Sequence, residues 1–280
     1  MRTFAFKQVD VFSDTPLKGN PLAVVVGADG LDDGQMAAFA NWTNLSETIF
    51  LLEPTSAEAD YRVRIFTPQA ELPFAGHPTL GACHAWLAAG GRPRGERIVQ
   101  ECAVGLVPLR RDGRRVAFAA PPMVRTGPLE AGLQARVAES LALAPEEIVD
   151  AQWVDNGPGW LAILLSSRRK VLGLKPDFSR LGDVKLGVVA PWDAVVDGTG
   201  VQFELRAFVP GLGVAEDPVT GSLNASVAQW LIGTGRAPDA YVAAQGTALG
   251  RAGRIYIRKE GSDIWVGGDV STCIEGTVTL

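Results

Sequence analysis

Apolar and polar residues alternate along the first part of the chain with the period of two that is typical of half-buried β-strands. Such alternation, or a short apolar run, predicts strands over residues 2–13, 21–28, 48–52 and 61–67. Between the second and third of these strands, Asp32 and Gln35 have the spacing of a capping pair and open a predicted helix over 32–43. The chain therefore begins as a mixture of strands and helices.

The remainder of the chain keeps this mixed pattern. Pro78 suits the first position of a helix that ends near Ala89. Further strands are predicted over 96–120 with a break at 111–114, in a hairpin over 148–166, and near 185–190, 200–209 and 240–279; further helices are predicted over 129–141 and from 221 to about 234. A chain of 280 residues with 47% hydrophobic content is long enough for two domains. We predict an N-terminal lobe over 1–120 and a C-terminal lobe over 121–280, with the segment after 265 free to pack back on the first lobe.

A repeated motif relates the two halves of the chain. Glu71-Leu-Pro-Phe-Ala-Gly76 and Glu216-Asp-Pro-Val-Thr-Gly221 share the pattern E-x-P-x-x-G, and each leads into an Ala-rich apolar helix that contains a Trp. Upstream, the pattern R-x-F-x-P occurs at 64–68 and again at 206–210, and downstream a Gly closes each helix at the same distance. Three matches in the same order predict an internal duplication.

Each copy of the motif places a glycine turn at the start of a helix, at Gly76-His77 and at Gly221-Ser222. The first backbone N–H groups of a helix have no partner within the helix and lie at the positive end of its dipole. Such a turn suits a substrate carboxylate or a developing enolate. The alternative is that the glycines only allow close packing of helix on strand. Duplication with a polar side chain at both turns favours the anion site, and we predict a small acidic metabolite as its ligand.

Three side chains near these turns are candidates for acid–base chemistry. His77 follows the first glycine, where an imidazole titrating near neutral pH could act as an acid or base. Asp217 stands where the first copy has Leu72, so this acid is specific to the second copy. Glu47 precedes an apolar strand, where desolvation raises the pKa of a carboxyl group. Each has a structural alternative: a hydrogen-bonded histidine, an aspartate that caps the turn, and a solvated glutamate. His84 lies in mid-helix and is interpreted as structural.

Composition and missing motifs narrow the chemistry. The net charge of −5 and the lack of a basic run argue against nucleic acid as a partner. The chain shows neither the apolar core of a signal peptide nor an apolar stretch of about 18 residues, so we expect no membrane span and a cytoplasmic location. Three scattered cysteines and two histidines lack the spacing of a disulfide framework or a metal site. The segment 211–216 imitates a dinucleotide fingerprint but has Glu216 at its third glycine position. Acid–base chemistry without a cofactor or metal remains.

Five motifs in order resemble the signature of the PhzF-type isomerases of phenazine biosynthesis. They are Gly19-Asn20-Pro21, Asn44-Leu-Ser-Glu47, Arg64-Ile-Phe-Thr-Pro68, Glu71-Leu-Pro-Phe-Ala-Gly-His77-Pro-Thr-Leu-Gly81 and Glu216-Asp217-Pro-Val-Thr-Gly221-Ser222. The resemblance implies an α+β fold of the diaminopimelate-epimerase type, with two pseudo-symmetric lobes that each wrap a β-barrel-like sheet around a central helix. It also implies a homodimer.

The same resemblance implies roles for individual residues. Glu47 matches the glutamate that moves a proton during isomerisation of a dihydro-hydroxyanthranilate, and His77 and Asp217 match residues that contact the substrate and assist proton movement. The residues that match substrate-binding groups are Asn20, Gly76, Gly221 and Ser222. We therefore expect a cofactor-independent isomerase of a small carboxylate.

Two other functions remain open on sequence grounds. One is a non-catalytic protein that binds small carboxylates on the same scaffold. The other is an amino-acid racemase or epimerase, which in the related enzymes uses a pair of opposed cysteines at these turns. Here the turns carry His77 and Ser222 instead.

Overall fold

The computed structural model describes residues 1–212 and 214–280; Gly213, part of the segment that imitates a dinucleotide fingerprint, lies outside the described residues. The strands are β1 (Thr3–Val11), β2 (Asn20–Val26), β3 (Thr48–Leu52), β4 (Tyr61–Phe66), β5 (Glu71–Leu72), β6 (Ile98–Cys102), β7 (Gly105–Asp112), β8 (Arg115–Ala119), β9 (Arg125–Pro128), β10 (Ile148–Asp155), β11 (Trp160–Leu165), β12 (Lys185–Pro191), β13 (Phe203–Phe208), β14 (Glu216–Asp217), β15 (Ala240–Gln245), β16 (Gly253–Glu260), β17 (Asp263–Gly268) and β18 (Val270–Thr279). The helices are α1 (Asp33–Thr43), α2 (Gly76–Ala88), α3 (Ala131–Ser140), α4 (Arg168–Gly173), α5 (Phe178–Leu181) and α6 (Gly221–Gly233).

The chain divides into two compact units. The first comprises Met1–Ala119 together with Gly267–Leu280, and the second comprises Ala120–Val266. None of the helices in the described part of the chain is both long enough and apolar enough to cross a membrane.

The first unit is a sheet curved around one helix. β1 pairs antiparallel with β18 and β2, β2 pairs parallel with β3, and β3 pairs antiparallel with β4. β4 then pairs antiparallel with β5 and parallel with β6, which continues antiparallel into β7 and β8. Helix α2 packs against β1, β2, β3 and β8. A Cβ atom added at Gly81 would overlap the side chain of Leu22, so this glycine lets α2 approach the sheet closely.

Helix α1 covers the other face of the same sheet. The predicted capping pair is present, because Asp32 Oδ1 accepts from the backbone N–H of Gln35 at 2.8 Å and Gln35 Oε1 accepts from the backbone N–H of Asp32 at 3.1 Å. Met36, Phe39 and Ala40 lie on one face of the helix and are buried against the sheet. The predicted helix over 32–43 is confirmed.

The start of α2 differs from the prediction. The helix begins at Gly76, two residues before Pro78, and its N-cap is Ala75 in an extended conformation. Proline is compatible with any position in the first turn, since the N–H that it lacks would have no partner within the helix. Pro78 therefore marks the first turn of the helix but not its first residue.

The second unit repeats the topology of the first. β10 pairs antiparallel with β9 and β11, β11 parallel with β12, and β12 antiparallel with β13. β13 then pairs antiparallel with β14 and parallel with β15, which continues antiparallel into β16. Helix α6 contacts β10 and β16 and corresponds to α2. A Cβ atom added at Gly187 in β12 would overlap Leu223 in α6, so a glycine again allows close approach of helix and sheet.

The duplication extends to individual contacts. Arg64 binds Glu71 through two hydrogen bonds of 2.7 and 2.6 Å, and Arg206 binds Glu216 through two of 2.9 and 2.7 Å. In both units the glutamate is the register partner of a phenylalanine two residues after the arginine. The predicted internal duplication is confirmed.

Candidate active site

Glu47 and His77 lie close together in the first unit. Glu47 lies directly before β3, and its side chain is 16% exposed. His77 is the second residue of α2, and its side chain is 5% exposed. His77 Nε2 lies 3.5 Å from Glu47 Oε2, which is longer than the ~2.9 Å of a normal N–H···O hydrogen bond. The structure therefore brings together two of the three acid–base candidates.

The end of α1 places Glu47 beside the start of β2. Asn44 ends the helix in the left-handed conformation, with φ 54°, and this turns the chain out of the helix axis. β3 then pairs with β2 in parallel, with Thr48 opposite Ala23. Glu47 directly precedes β3 and therefore lies near the start of β2, which begins at Asn20.

Asn20 contacts the histidine on its other side. Its side chain is fully buried, and its Nδ2 lies 3.4 Å from His77 Nδ1. Ser46 donates a hydrogen bond of 3.4 Å to Asn20 Oδ1, which is consistent with this orientation of the amide. Because an amide nitrogen only donates, His77 Nδ1 must accept, and the ring proton of the neutral imidazole then resides on Nε2. That proton faces Glu47.

An aspartate in each unit shapes the loop that leads into the site. Asp10 Oδ2 accepts from the backbone N–H groups of Lys18 and Gly19 at 2.8 and 2.7 Å. In the second unit, Asp155 Oδ1 accepts from Gly157 and Gly159 at 2.7 and 2.6 Å. The strand that follows each loop starts beside the first turn of a helix: Asn20 of β2 contacts His77 in α2, and Trp160 of β11 bonds to Ser222 in α6.

Burial decides the protonation state of His77. Removal of the ring from water lowers the pKa of His77 to about 3, since desolvation disfavours the charged imidazolium. The expectation that this imidazole titrates near neutral pH is therefore wrong. At neutral pH the ring is uncharged, so its Nε2 carries a proton that it can donate, and His77 is not a cationic acid.

This lowered pKa predicts a pH dependence of stability. Between about pH 3 and the unperturbed pKa of 6.5, the unfolded chain binds a proton at His77 that the folded chain does not. The free energy of unfolding therefore rises with pH across this window, and the contribution is lost as the pH falls through it. We expect His77→Gln to flatten the dependence by up to about 1.4 kcal/mol per pH unit in urea-unfolding experiments. Burial also lowers the pKa of His84, so His84→Gln should flatten the dependence as well. An unchanged slope in His77→Gln would contradict the assignment.

The second unit holds Asp217 and Ser222. Asp217 lies in β14, is partly buried, and its Oδ2 accepts a 2.5 Å hydrogen bond from the Thr220 hydroxyl. Ser222 Oγ accepts from Trp160 Nε1 at 3.0 Å, and its carbonyl accepts from Asn156 Nδ2 at 3.0 Å. The predicted hairpin turn after β10 thus supports the first turn of α6.

Neither central helix has a side-chain cap at its N-terminus. The N-cap of α2 is Ala75, and that of α6 is Thr220, whose hydroxyl donates to Asp217 instead of accepting from the helix. Gly76 and Gly221 follow them and are buried. Both helix starts therefore lack a side-chain cap that would compete with a bound anion for the first backbone N–H groups.

The sequence-predicted site residues thus fall into two groups. Within the first unit the structure brings together Asn20, Glu47, Gly76 and His77, and within the second it brings together Asp217, Gly221 and Ser222. Residues 1–212 and 214–280 contain no group of three or more His, Cys, Asp or Glu side chains placed to hold a metal ion.

Sequence reasoning missed the side chains that support these groups. They are Ser46, Asn156, Trp160, Thr220, Asn224 and Gln245. One signal was available for Thr220, because the first copy of the motif has Ala75 at its position. A polar residue in only one of two copies indicates a task that only one copy performs.

Similarity to known proteins extends over nearly the whole chain. A model of the PhzC-PhzF family, described as phenazine biosynthesis-like protein, matches residues 9–276. The chain is 36% identical to Antisense-enhancing sequence 1 of Schizosaccharomyces pombe, with 99% of both proteins covered. It is 34% identical to trans-2,3-dihydro-3-hydroxyanthranilate isomerase of Pseudomonas aeruginosa, with 97% of this chain and 98% of that protein covered. The crystal structure of a PhzF-family phenazine biosynthesis protein from Enterococcus faecalis is 25% identical, covers 100% of both chains and has a TM-score of 0.82.

Proposed function

The chain belongs to the PhzC-PhzF family and is an isomerase, and we propose that its Glu47 moves a proton between two carbons of a small carboxylated substrate. The α+β fold with epimerase-like lobes that the resemblance implies is confirmed. One observation carries the proposal: Glu47 Oε2 lies 3.5 Å from His77 Nε2 at the uncapped start of α2. A carboxylate, a neutral hydrogen-bond donor and an anion-binding helix start are the groups that carbon acid chemistry requires.

The proton transfer needs no external reactant. The Glu47 carboxylate takes a proton from one carbon, and the electron pair of the broken C–H bond enters the conjugated system next to the substrate carboxylate. The protonated Glu47 then returns the proton to a second carbon, so substrate and product have the same composition. We propose that the reaction is independent of a cofactor.

His77 supports this step as a neutral donor. Its Nε2–H faces the Glu47 carboxylate at 3.5 Å, and catalytic hydrogen bonds that are long in a free enzyme often shorten in the substrate complex. A charged imidazolium is not needed, because burial lowers the pKa of His77 to about 3. We propose that Asn20 maintains the required tautomer through its 3.4 Å contact with Nδ1; direct contact of Asn20 with the substrate stays a prediction.

We assign substrate binding to the helix starts. The backbone N–H groups at Gly76 are proposed to bind an oxygen of the substrate carboxylate or of its enolate. Gly221 and Ser222 are assigned to the same task, and Asp217 to a polar contact with the substrate, because their motif matches the family signature. These roles rest on the motif and on the uncapped helix N-termini.

The proposed substrate is trans-2,3-dihydro-3-hydroxyanthranilate, the compound named in the isomerase of Pseudomonas aeruginosa. We expect the purified chain to isomerise it without any added cofactor. In D2O, mass spectrometry of the product measures solvent deuterium at the carbon that receives the proton. Turnover supports the substrate and the cofactor-independent chemistry together. Absence of turnover would remove this substrate and direct the search to other small unsaturated or amino carboxylates.

The two alternative functions have less support. A racemase of the related type would have cysteines at the helix starts, where this chain has His77 and Ser222, and Cys83 and Cys102 are buried elsewhere. A carboxylate-binding protein without chemistry would not need Glu47 beside His77. The homodimer, the cytoplasmic location and the lack of a nucleic-acid partner stay predictions.

A further inference from the structure

A network of hydrogen bonds from Thr220 and Gln245 holds Asp217. The Thr220 hydroxyl donates to Asp217 Oδ2 at 2.5 Å. Gln245 Nε2 donates to Thr220 Oγ1 at 2.9 Å and to the backbone carbonyl of Asp217 at 3.1 Å. Thr220 is 7% exposed and Gln245 is fully buried. This hydrogen-bond network therefore holds both the side chain and the backbone of Asp217.

The donor and acceptor of every hydrogen bond in this network are fixed. Gln245 Oε1 accepts from the backbone N–H of Thr220 at 3.0 Å and from Asn224 Nδ2 at 2.8 Å, so the amide of Gln245 has one possible orientation. Its Nε2 only donates, so it uses a lone pair of the Thr220 hydroxyl. The hydroxyl proton is then left for Asp217. Buried polar groups with every bond satisfied hold one arrangement.

Comparison of the two copies of the motif shows which residue this hydrogen-bond network supports. The motif match places Leu72 at the position of Asp217 and Ala75 at the position of Thr220. Tyr61 pairs with Gln100 as Phe203 pairs with Ala243, and this register places Cys102 at the position of Gln245.

The first unit therefore builds the same strand, turn and helix without these three polar residues. The fold alone does not require Thr220 or Gln245. They occur in the copy that has the acid, and both bond to Asp217, which links them to the acid.

We infer that Thr220 and Gln245 are positioning residues that fix the side chain of Asp217 for its contact with the substrate. This inference rests on the proposed function, in which Asp217 makes that contact. Thr220 acts through its hydrogen bond to Asp217 Oδ2. Gln245 acts by donating to the Thr220 hydroxyl, which directs the hydroxyl proton to Asp217. Loss of the hydroxyl removes the bond that sets the position of Asp217 Oδ2.

A matched pair of variants tests the inference. Thr220→Val keeps the shape of the side chain and removes the hydroxyl, whereas Thr220→Ser keeps the hydroxyl. With trans-2,3-dihydro-3-hydroxyanthranilate, we expect Thr220→Val to lower kcat/KM by about 10- to 100-fold, as for loss of a hydrogen bond to a charged group. Thr220→Ser should stay within about 3-fold of the wild type, because its hydroxyl restores the same bond. If Thr220→Val does not fold, Thr220→Ala replaces it, since the first copy folds with Ala75 at this position.

A double-mutant cycle separates positioning from a structural role. In the Asp217→Asn background, Thr220→Val should cause little further loss, since its effect passes through Asp217. An equal loss in both backgrounds would overturn the inference. If Asp217→Asn lowers kcat/KM but Thr220→Val has full activity, the positioning inference is overturned and the proposed function stands. Full activity in Asp217→Asn would remove Asp217 from the proposed function as well.

A second readout needs no turnover. Crystal structures of Thr220→Val and Thr220→Ser report the side-chain position of Asp217 directly. We expect a changed or divided position in Thr220→Val and the original position in Thr220→Ser. An unchanged position in Thr220→Val would overturn the inference, whichever substrate the enzyme accepts.

Discussion

Glu47→Gln is expected to lower kcat by about 10²- to 10⁴-fold, the range associated with loss of a general acid–base group. Glutamine keeps the size of the side chain but cannot accept and return a proton. Binding should change little, because the helix starts are untouched. Single-turnover kinetics and deuterium incorporation in D2O, both with trans-2,3-dihydro-3-hydroxyanthranilate, measure the effect on the chemical step.

Glu58→Gln is the matched control for this prediction. Glu58 is an exposed glutamate of the same unit, so its substitution removes one negative charge without touching the site. Its kcat should equal that of the wild type. Full activity of Glu47→Gln would exclude Glu47 as the proton carrier and return His77 and Asp217 to consideration.

Glu216→Gln is expected to destabilise the protein by about 3–5 kcal/mol, because it leaves Arg206 buried without its anionic partner. The two side chains are 8% and 7% exposed. Arg206 also donates to the backbone carbonyls of Val171 and Leu174 at 3.2 and 2.8 Å, so it cannot leave its position without breaking these bonds. The free energy of unfolding in urea measures the loss.

The duplication supplies the control for this variant. Glu71→Gln breaks the corresponding pair in the first unit, where Arg64 is 26% and Glu71 is 37% exposed. Solvent screens this pair, and Arg64 retains its contact with Asp33. We expect a loss of about 1 kcal/mol or less. Equal losses in the two variants would contradict the argument that burial sets the cost.

Local sequence signals predicted those parts of the fold that local interactions determine. The boundary of α1 follows from the bonds between Asp32 and Gln35, which are three residues apart. The duplication follows from motifs with the same order. The start of α2 was misplaced because Ala75 makes no side-chain cap bond, and its extended backbone leaves no mark in the sequence.

The site was less predictable because it depends on contacts between distant segments. Glu47 on its own resembles a solvated glutamate at a strand start, and the family resemblance supplied its role. The low pKa of His77 depends on its burial, and its helix α2 packs against β1 and β2, which lie more than 50 residues earlier in the chain. The support of Asp217 by Gln245 joins residues 28 positions apart. Distances of this kind follow only from the packed sheet.

Gly81 and Gly187 show how far the two copies have diverged. In the first unit the small residue is on the helix and the leucine is on the strand, whereas in the second unit the small residue is on the strand and Leu223 is on the helix. The motif match places Ser226 at the position of Gly81. A graft of α6 into the first sheet would press Ser226 onto Leu22, so helix and sheet are sterically matched within each copy. The halves repeat one topology, but their helices are not interchangeable.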